Sequence, residues 1–579
     1  MAETLISPGV LARENDTSFV SQGPVTAGAV IIGPTVKGPV EIPTPVTSYS
    51  QYQQIFGTTF SSGSATNSQT YTYFTSIAAY NYFANGGTSL LVARVVTGSY
   101  TSATSSLIVS ASGASSPVFV LETISEGTIM NSSGSEDSTG ALANGTVNNI
   151  RWEIVNSSTS SGTFDLLIRQ GNDNNPNQTI LETWSDLSLD PFSSNYISRQ
   201  IGDQKYTLRT DSSTGTKYLQ SSGSFPNQSA YVRIKSVNLT TPNYFLNSDN
   251  PNPAYTGSLP INASGSFGGA IGSIKAGAKF YDQIGSGDTQ GLTAGNYDNM
   301  IALLANQDDY KYNVILTPGL YNTDYSSPIS SIITNTQNRG DAIYVMDMVA
   351  YGAGSVTTVT SQAANRNTSY AATYWPWVQV QDPDSGQIVW VPASTVIAGV
   401  YAYNDSVSEP WFAPAGISRG GLSTVIRAER RLPQGDRDTL YNGKVNPIAT
   451  FPGAPGSGVV VYGQKTLQTR ASALDRVNVR RLLIALKNYI SQVANNLVFE
   501  QNTAATRNNF LAQVNPYLES VQQRQGLYAF KVIMDDSNNT PTVIDQNRMV
   551  GQIYLQPTKT AEFIYLDFNI TPTGATFPA

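Results

Sequence analysis

The sequence predicts an α+β multidomain protein. It comprises a C-terminal helix-on-sheet domain, a discontinuous α/β middle domain, an inserted β-rich outer domain, and extended N- and C-terminal arms. Three observations carry this. Apolar residues Val479, Leu482, Leu483, Leu486, Ile490, Val493 and Leu497 recur at three- and four-residue steps, which is one helix face, and beyond Gly526 the period becomes two. Residues 26–98 and 288–349 alternate helix-like and strand-like runs, the pattern of an α/β layer. Between them the composition turns to Ser, Thr, Asn and Gly, with short alternating runs.

Taken in order, residues 1–25 read as an extended arm, broken by Pro8-Gly9. Residues 26–98 begin the α/β domain. A strand over 27–32 ends at Gly33-Pro34, and Ser48 with Gln51 three residues on is a capping-box signature, with Gly57 as C-cap. A second helix is expected over 71–84, then a buried strand over 90–96. Residues 99–258 read as an inserted β domain, with strands at 117–121, 152–155, 164–169 and 231–234. An insertion between helix–strand units enters and leaves at one edge of its parent, so it should project outward. The Gly- and Ser-rich run 265–287 reads as a flexible return linker. Residues 259–440 resume the α/β domain, 441–570 form the C-terminal domain, and 571–579 a tail.

In the C-terminal domain a helix is expected over 475–497, with Asp475 in its first turn, where a negative charge suits the dipole. Arg480, Arg481 and Lys487 lie off its apolar stripe. In the last run Ile564, Leu566, Phe568 and Ile570 share one face of a strand.

Composition excludes more than it assigns. At 579 residues the chain suggests about four domains. The 40 acidic against 33 basic residues give a net charge of -7 with no basic block, which argues against nucleic acid as a partner. With no cysteine and no histidine, disulfides, thiolate zinc sites and Ser–His or Cys–His triads are all absent. No metal or cofactor is expected. No signal-peptide pattern opens the chain and no window has eighteen consecutive apolar residues, so a soluble, cytoplasmically made protein without membrane insertion is expected.

Several motifs invite functional readings that their context does not support. GSFGGAIGS at 265–273 lacks the Gly-Lys-Ser/Thr of a phosphate loop. Asp382 and Asp384 sit in DPDSG, a turn-forming string without a calcium-loop continuation. Trp375, Trp377 and Trp390 read as core aromatics, and the charged run 427–437 as a solvated face or a subunit contact.

A set of longer motifs carries a family resemblance. LDRVNVRRL, FEQN, NNTPTVIDQNRMV and IYLQP in the C-terminal domain, with SPGV at Ser7, YAATYWPWVQVQDP at Tyr370, VPAS at Val391, AGVYAYND at Ala398 and WFAPAGISRG at Trp411, resemble the tail sheath proteins of T-even-type contractile-tailed bacteriophages. The likeness covers the first ninety or so residues and everything from 288 onward, and is weak between. It implies a non-enzymatic subunit of a phage tail, assembled in the host cytoplasm. The subunit would pair with itself in six-fold rings stacked into a helical polymer around a tail tube protein, with baseplate and tail terminator proteins at the ends. It also implies that the arms pair with neighbouring subunits, through Val10, Leu11, Phe19 and Val20 at one end and Ile564, Leu566, Phe568 and Ile570 at the other. Because the C-terminal domain lines the family's inner wall, Arg476, Arg480, Arg481 and Lys487 become candidates for facing the tube, against the alternative of salt bridges within the subunit.

Other functions fit less well. A carboxylate-pair glycanase would need two acids on patterned elements, and no such pair is recognisable. A β-rich receptor-binding module is suggested only by the insertion and the 32 tyrosines. Within the same class, an R-type bacteriocin or type VI secretion sheath is the alternative.

Overall fold

The computed structural model describes residues 25–62, 69–132, 135–274, 287–453, 456 and 458–565. Its centre is an eight-stranded sheet in the order Thr44–Val46, Leu90–Arg94, Val25–Gly33, Tyr310–Tyr321, Ile343–Asp347, Ala371–Trp375, Asn446–Thr450, Val459–Val461. The inner strands pair in parallel and the two outermost pairs are antiparallel. Leu90–Arg94, Ile343–Asp347 and Ala371–Trp375 are buried at every position. That is the mark of a parallel sheet covered on both faces, where near-continuous apolar runs replace alternation. Helices Phe74–Ala84 and Ser394–Val407 pack on each other and on the sheet, and Asp298–Leu303 packs with Ser326–Arg339. The strands on either side of the insertion therefore share one sheet, and Val25–Gly33 lies directly beside Tyr310–Tyr321.

Local signals set several of these elements. Ser48 caps Tyr49–Phe56 by accepting from the Gln51 amide, and Gly57 closes it at φ 76°, in the left-handed region where glycine is free of Cβ strain. The helix expected from 71 begins at Phe74, because Gln69–Thr72 forms a hairpin with Thr59–Ser62. DPDSG is the hairpin turn between Val378–Gln381 and Ile388–Val391, and Asp382 holds it by accepting from the Ser385 hydroxyl and from the amides of Asp384 and Ser385. Trp375 and Trp377 are buried in the main core and Trp390 is half-buried against it.

The insertion has a core of its own. Two four-stranded sheets face each other over Phe119, Leu121, Trp152, Phe164, Leu166, Ile168, Val232 and Ile234, with Phe119 and Phe164 stacked at 5.7 Å. The first residues of the run expected to be a return linker, 265–268, instead complete both sheets. Ala263–Gly265 pairs with Ile150–Ser158, and Phe267–Gly268 pairs with Ser102–Ser105. Gly265 serves close approach here rather than flexibility, since a Cβ on it would lie 2.4 Å from the Trp152 ring. At the other end of the chain the central sheet runs past residue 440 to Val461, so the expected boundary at 440/441 cuts through one sheet.

The C-terminal unit is smaller. Helices Val477–Asn495 and Ala504–Gln523 pack around Leu482, Leu486, Val514, Leu518 and Val521. The second helix lies on an antiparallel pair, Leu527–Ile533 with Gln552–Pro557. Trp411, which follows the long central helix, is buried in this core and donates its indole N–H to the Arg524 carbonyl at 2.9 Å.

Candidate functional site

The residues that could carry an assembly function gather at the junction of the central and C-terminal parts. Residues 464–466 and 475–477 pair as a short antiparallel ladder, with Lys465 opposite Arg476 and the Val477 amide donating to the Gln464 carbonyl at 2.8 Å. The ladder fixes the start of the Val477–Asn495 helix against the central domain. Arg476 is its N-cap residue, and Asp475 sits in a preceding 3-10 turn rather than in the helix's first turn.

The arginines of this helix point into the fold. Arg480 is 4% exposed; it donates to the Ser369 hydroxyl at 2.5 Å and its guanidinium lies 4.0 Å over the Tyr370 ring. Arg481 is 5% exposed, pairs with Asp405 at 2.5 Å and stacks 4.7 Å over Tyr401. Of the two readings open for these arginines, facing a tube or bonding within the subunit, their contacts here are those of the second. A one-sided apolar stripe marks off-stripe positions as exposed only if one face is covered. The first half of this helix is packed on several sides, with Val477, Asn478, Val479, Arg480, Arg481 and Leu482 all buried. Long arginine stems suit such a place, because they bury their methylenes while the planar tips reach polar partners. Lys487, further along, is exposed.

Arg476 has a different partner again. Its Nε and Nη2 donate to the Glu562 carboxylate at 2.7 and 2.9 Å, and Asp475 lies 3.0 Å from its Nη1. The Tyr441 hydroxyl and the Gln464 amide donate to the same carboxylate at 2.6 and 3.0 Å. Lys465 Nζ sits 4.1 Å from the Tyr441 ring. Burial alone would push the Glu562 carboxyl up, but the hydrogen bonds from Arg476, Tyr441 and Gln464 outweigh it and hold the group below its ordinary value. Glu562, Tyr441 and Gln464 escaped the sequence reading because they lie 86 to 121 residues from their partners. No local pattern joins them.

The three described residues that follow Glu562 are bare. Phe563, Ile564 and Tyr565 are 68%, 77% and 90% exposed and belong to no strand among the described residues. Of the proposed arm residues, Val10, Leu11, Phe19, Val20, Leu566, Phe568 and Ile570 lie outside the described residues. Earlier in the chain, Leu527–Ile533 and Gln552–Pro557 pair only with each other among the described residues, leaving both outer edges of the pair open there, and Tyr528 and Tyr554 on it are exposed. An unpaired edge presents a row of N–H and C=O groups ready for another strand. Among the described residues no group of His, Cys, Asp and Glu could hold a metal ion, and no helix is long and apolar enough to cross a membrane.

Comparison with known proteins agrees with the geometry. Residues 292–467 match the phage tail sheath protein central domain, and 469–571 match the phage tail sheath C-terminal domain. The tail sheath protein of Vibrio phage KVP40 is 39% identical over 257 residues, which is 44% of this chain and 37% of that protein. That of Enterobacteria phage T4 is 41% identical over 188 residues, 32% of this chain and 28% of that protein. These matches thus span well under half the length of either relative. The sheath tail protein from Listeria innocua, at 11% identity, has the same fold, with a TM-score of 0.52 over 92% of this chain and 96% of that one. Over residues 292–571 the chain belongs to the phage tail sheath family.

Proposed function

We propose that the chain is the structural subunit of a contractile phage tail sheath. Copies polymerise as stacked six-membered rings around a tail tube, bounded by baseplate and terminator proteins. Their contraction drives the tube through the host envelope. No bond is made or broken in this cycle, so no catalytic residue is required. The observation that carries the reading is the sheet of Leu527–Ile533 and Gln552–Pro557, two-edged among the described residues and followed in sequence by an exposed apolar segment, 563–565, that joins no strand. A two-stranded sheet is marginal alone and gains from added strands. Strand addition between subunits supplies main-chain hydrogen bonds that tether neighbours without fixing side-chain contacts, which suits a lattice that must move as rigid bodies. In this reading residues 1–24, ending where Val25 enters the central sheet, with Val10, Leu11, Phe19 and Val20, and the segment from Ile564 through Leu566 and Phe568 to Ile570 supply the added strands. Lys487 remains a candidate contact with the tube, since it is exposed in the second half of its helix.

Electron microscopy of the purified protein tests this. Full-length protein should form tubes or rings. Chains lacking residues 1–24, or ending after Glu562, should stay folded and monomeric. Normal tubes from either truncation would remove the arms from assembly, and trimers or monomers of the full chain would remove the sheath reading itself.

A further inference from the structure

The stretch from 558 to 565 has no regular structure, yet its course is pinned at Thr560 and most firmly at Glu562. Its last backbone bond to the hairpin region is Thr558 N–H to the Gly526 carbonyl, at 3.1 Å. Four residues later the Glu562 carboxylate is gripped by Arg476, Tyr441 and Gln464, and Gln464 also donates to the Thr560 hydroxyl at 2.6 Å. The donors come from three places: the Gln434–Asn442 helix, the segment after the central sheet, and the N-cap of the Val477–Asn495 helix. Tyr441 and Gln464 belong to the region matched as central domain, and Arg476 and Glu562 to the region matched as C-terminal domain. The bidentate arginine–carboxylate geometry is the directional kind of ion pair, and the pairing of Lys465 with Arg476 holds the donors in place. The exposed apolar run starts at the next residue.

From this convergence we infer that Glu562 is the fixed root of the C-terminal arm. The clamp sets the point and direction from which the segment beginning at Phe563 reaches a second copy of the chain. This inference rests on the assembly proposed above. Its physical content is reach. With the Glu562 and Thr560 contacts both lost the chain is free from Thr558 onward, and four more residues of tether add roughly 13 Å of span; with the Glu562 carboxylate alone removed, Thr560 still bonds Gln464 and two more residues add roughly 7 Å. The arm would then search a larger volume from a point no longer referenced to both domains, and its effective concentration at a neighbour would fall. Glu562, Arg476, Tyr441 and Gln464 act as positioning residues.

The absence of cysteine from the sequence allows a single spin label at Phe563→Cys in the full-length chain. In the isolated subunit the label should be restrained at neutral pH and mobile in Glu562→Ala, with Tyr441→Phe between the two. Glu562→Gln should be loosened equally at all pH values, whereas the parent should loosen only as pH falls below the ordinary carboxylate range. A contact of merely structural importance would not give that profile. In the unlabelled chain Glu562→Ala should raise the concentration needed for tube formation by about tenfold. If Glu562→Ala does not fold, Tyr441→Phe, which keeps the ring, carries both measurements. Equal label mobility in parent and variant overturns the inference. A mobile label together with assembly at the parent's concentration also overturns it, and leaves the sheath reading standing. A parent chain that is folded but never assembles overturns the sheath reading and the arm root together.

Discussion

Arg481 offers the sharpest test of how the C-terminal domain is joined to the rest. Replacing it by Met keeps much of the apolar stem and removes the guanidinium. The lost bond to Asp405 is charge-assisted, worth about 1.5–3 kcal/mol, and the stacking over Tyr401 adds about 0.5–2 kcal/mol. Stranding a fully buried partner would cost about 3–5 kcal/mol, but the Asp405 side chain is 36% exposed and can be rehydrated, so the net cost falls near 2–3 kcal/mol. A chain of several domains has no single unfolding free energy, so the readout is amide exchange within Val477–Asn495. Protection there should fall roughly 30- to 150-fold, since each 1.4 kcal/mol is tenfold. Adding Asp405→Asn should recover part of the loss, and Lys487→Met, at an exposed position, should stay within about 0.5 kcal/mol of the parent. The opposite outcome is helix protection within threefold of the parent in Arg481→Met together with salt-sensitive co-assembly with tube protein. That would put Arg481 on a working surface rather than in a joint.

Other expectations follow from the same structure. Leu518→Ala removes a fully buried side chain from the small C-terminal core and should cost about 2–5 kcal/mol, seen as early exchange of both C-terminal helices with the central sheet unaffected. Burial raises the Asp347 carboxyl to about 7 although the Ser394 amide and hydroxyl donate to it, so the folded state keeps its proton where the unfolded state releases it. Stability should therefore decline as pH rises from the ordinary aspartate range to about 7, by up to about 1.4 kcal/mol per pH unit, and thermal scans of Asp347→Asn should lack that decline. The ends of the insertion lie side by side, with the Thr101 amide bonded to the Ile271 carbonyl at 3.1 Å. Replacing 101–271 by a short Gly/Ser bridge should leave the central sheet folded and ring formation intact, as micrographs would show; loss of rings from a folded chain would mean that the insertion is part of the lattice. Lys487→Glu should weaken co-assembly with tube protein and increase its salt sensitivity, and normal co-assembly at low and high salt would remove the lysine from that contact.

The sequence by itself determined the elements whose signals are local. Ser48 and Gln51 announce a helix start, DPDSG announces a hairpin, and the three- and four-residue steps from Val479 to Val493 announce the helix that anchors the C-terminal core, because caps, turns and amphipathic faces arise among neighbours. The long motifs likewise pointed to the sheath family. Tertiary structure alone decided everything that depends on what covers a residue. Arg480 and Arg481 are spaced like solvent-facing cations, but a second domain lies over the first turns of their helix, and that covering turns surface charges into a joint. The run from 265 has the composition of a linker, but two sheets wait for its backbone, and Trp152 occupies the space a side chain at Gly265 would need. Glu562 stands between Ala561 and an apolar run, with nothing in its local sequence to mark it. It becomes the root of an arm only because the fold brings Tyr441, Gln464 and Arg476 to one point, and pairing across 86 to 121 residues leaves no periodicity to read.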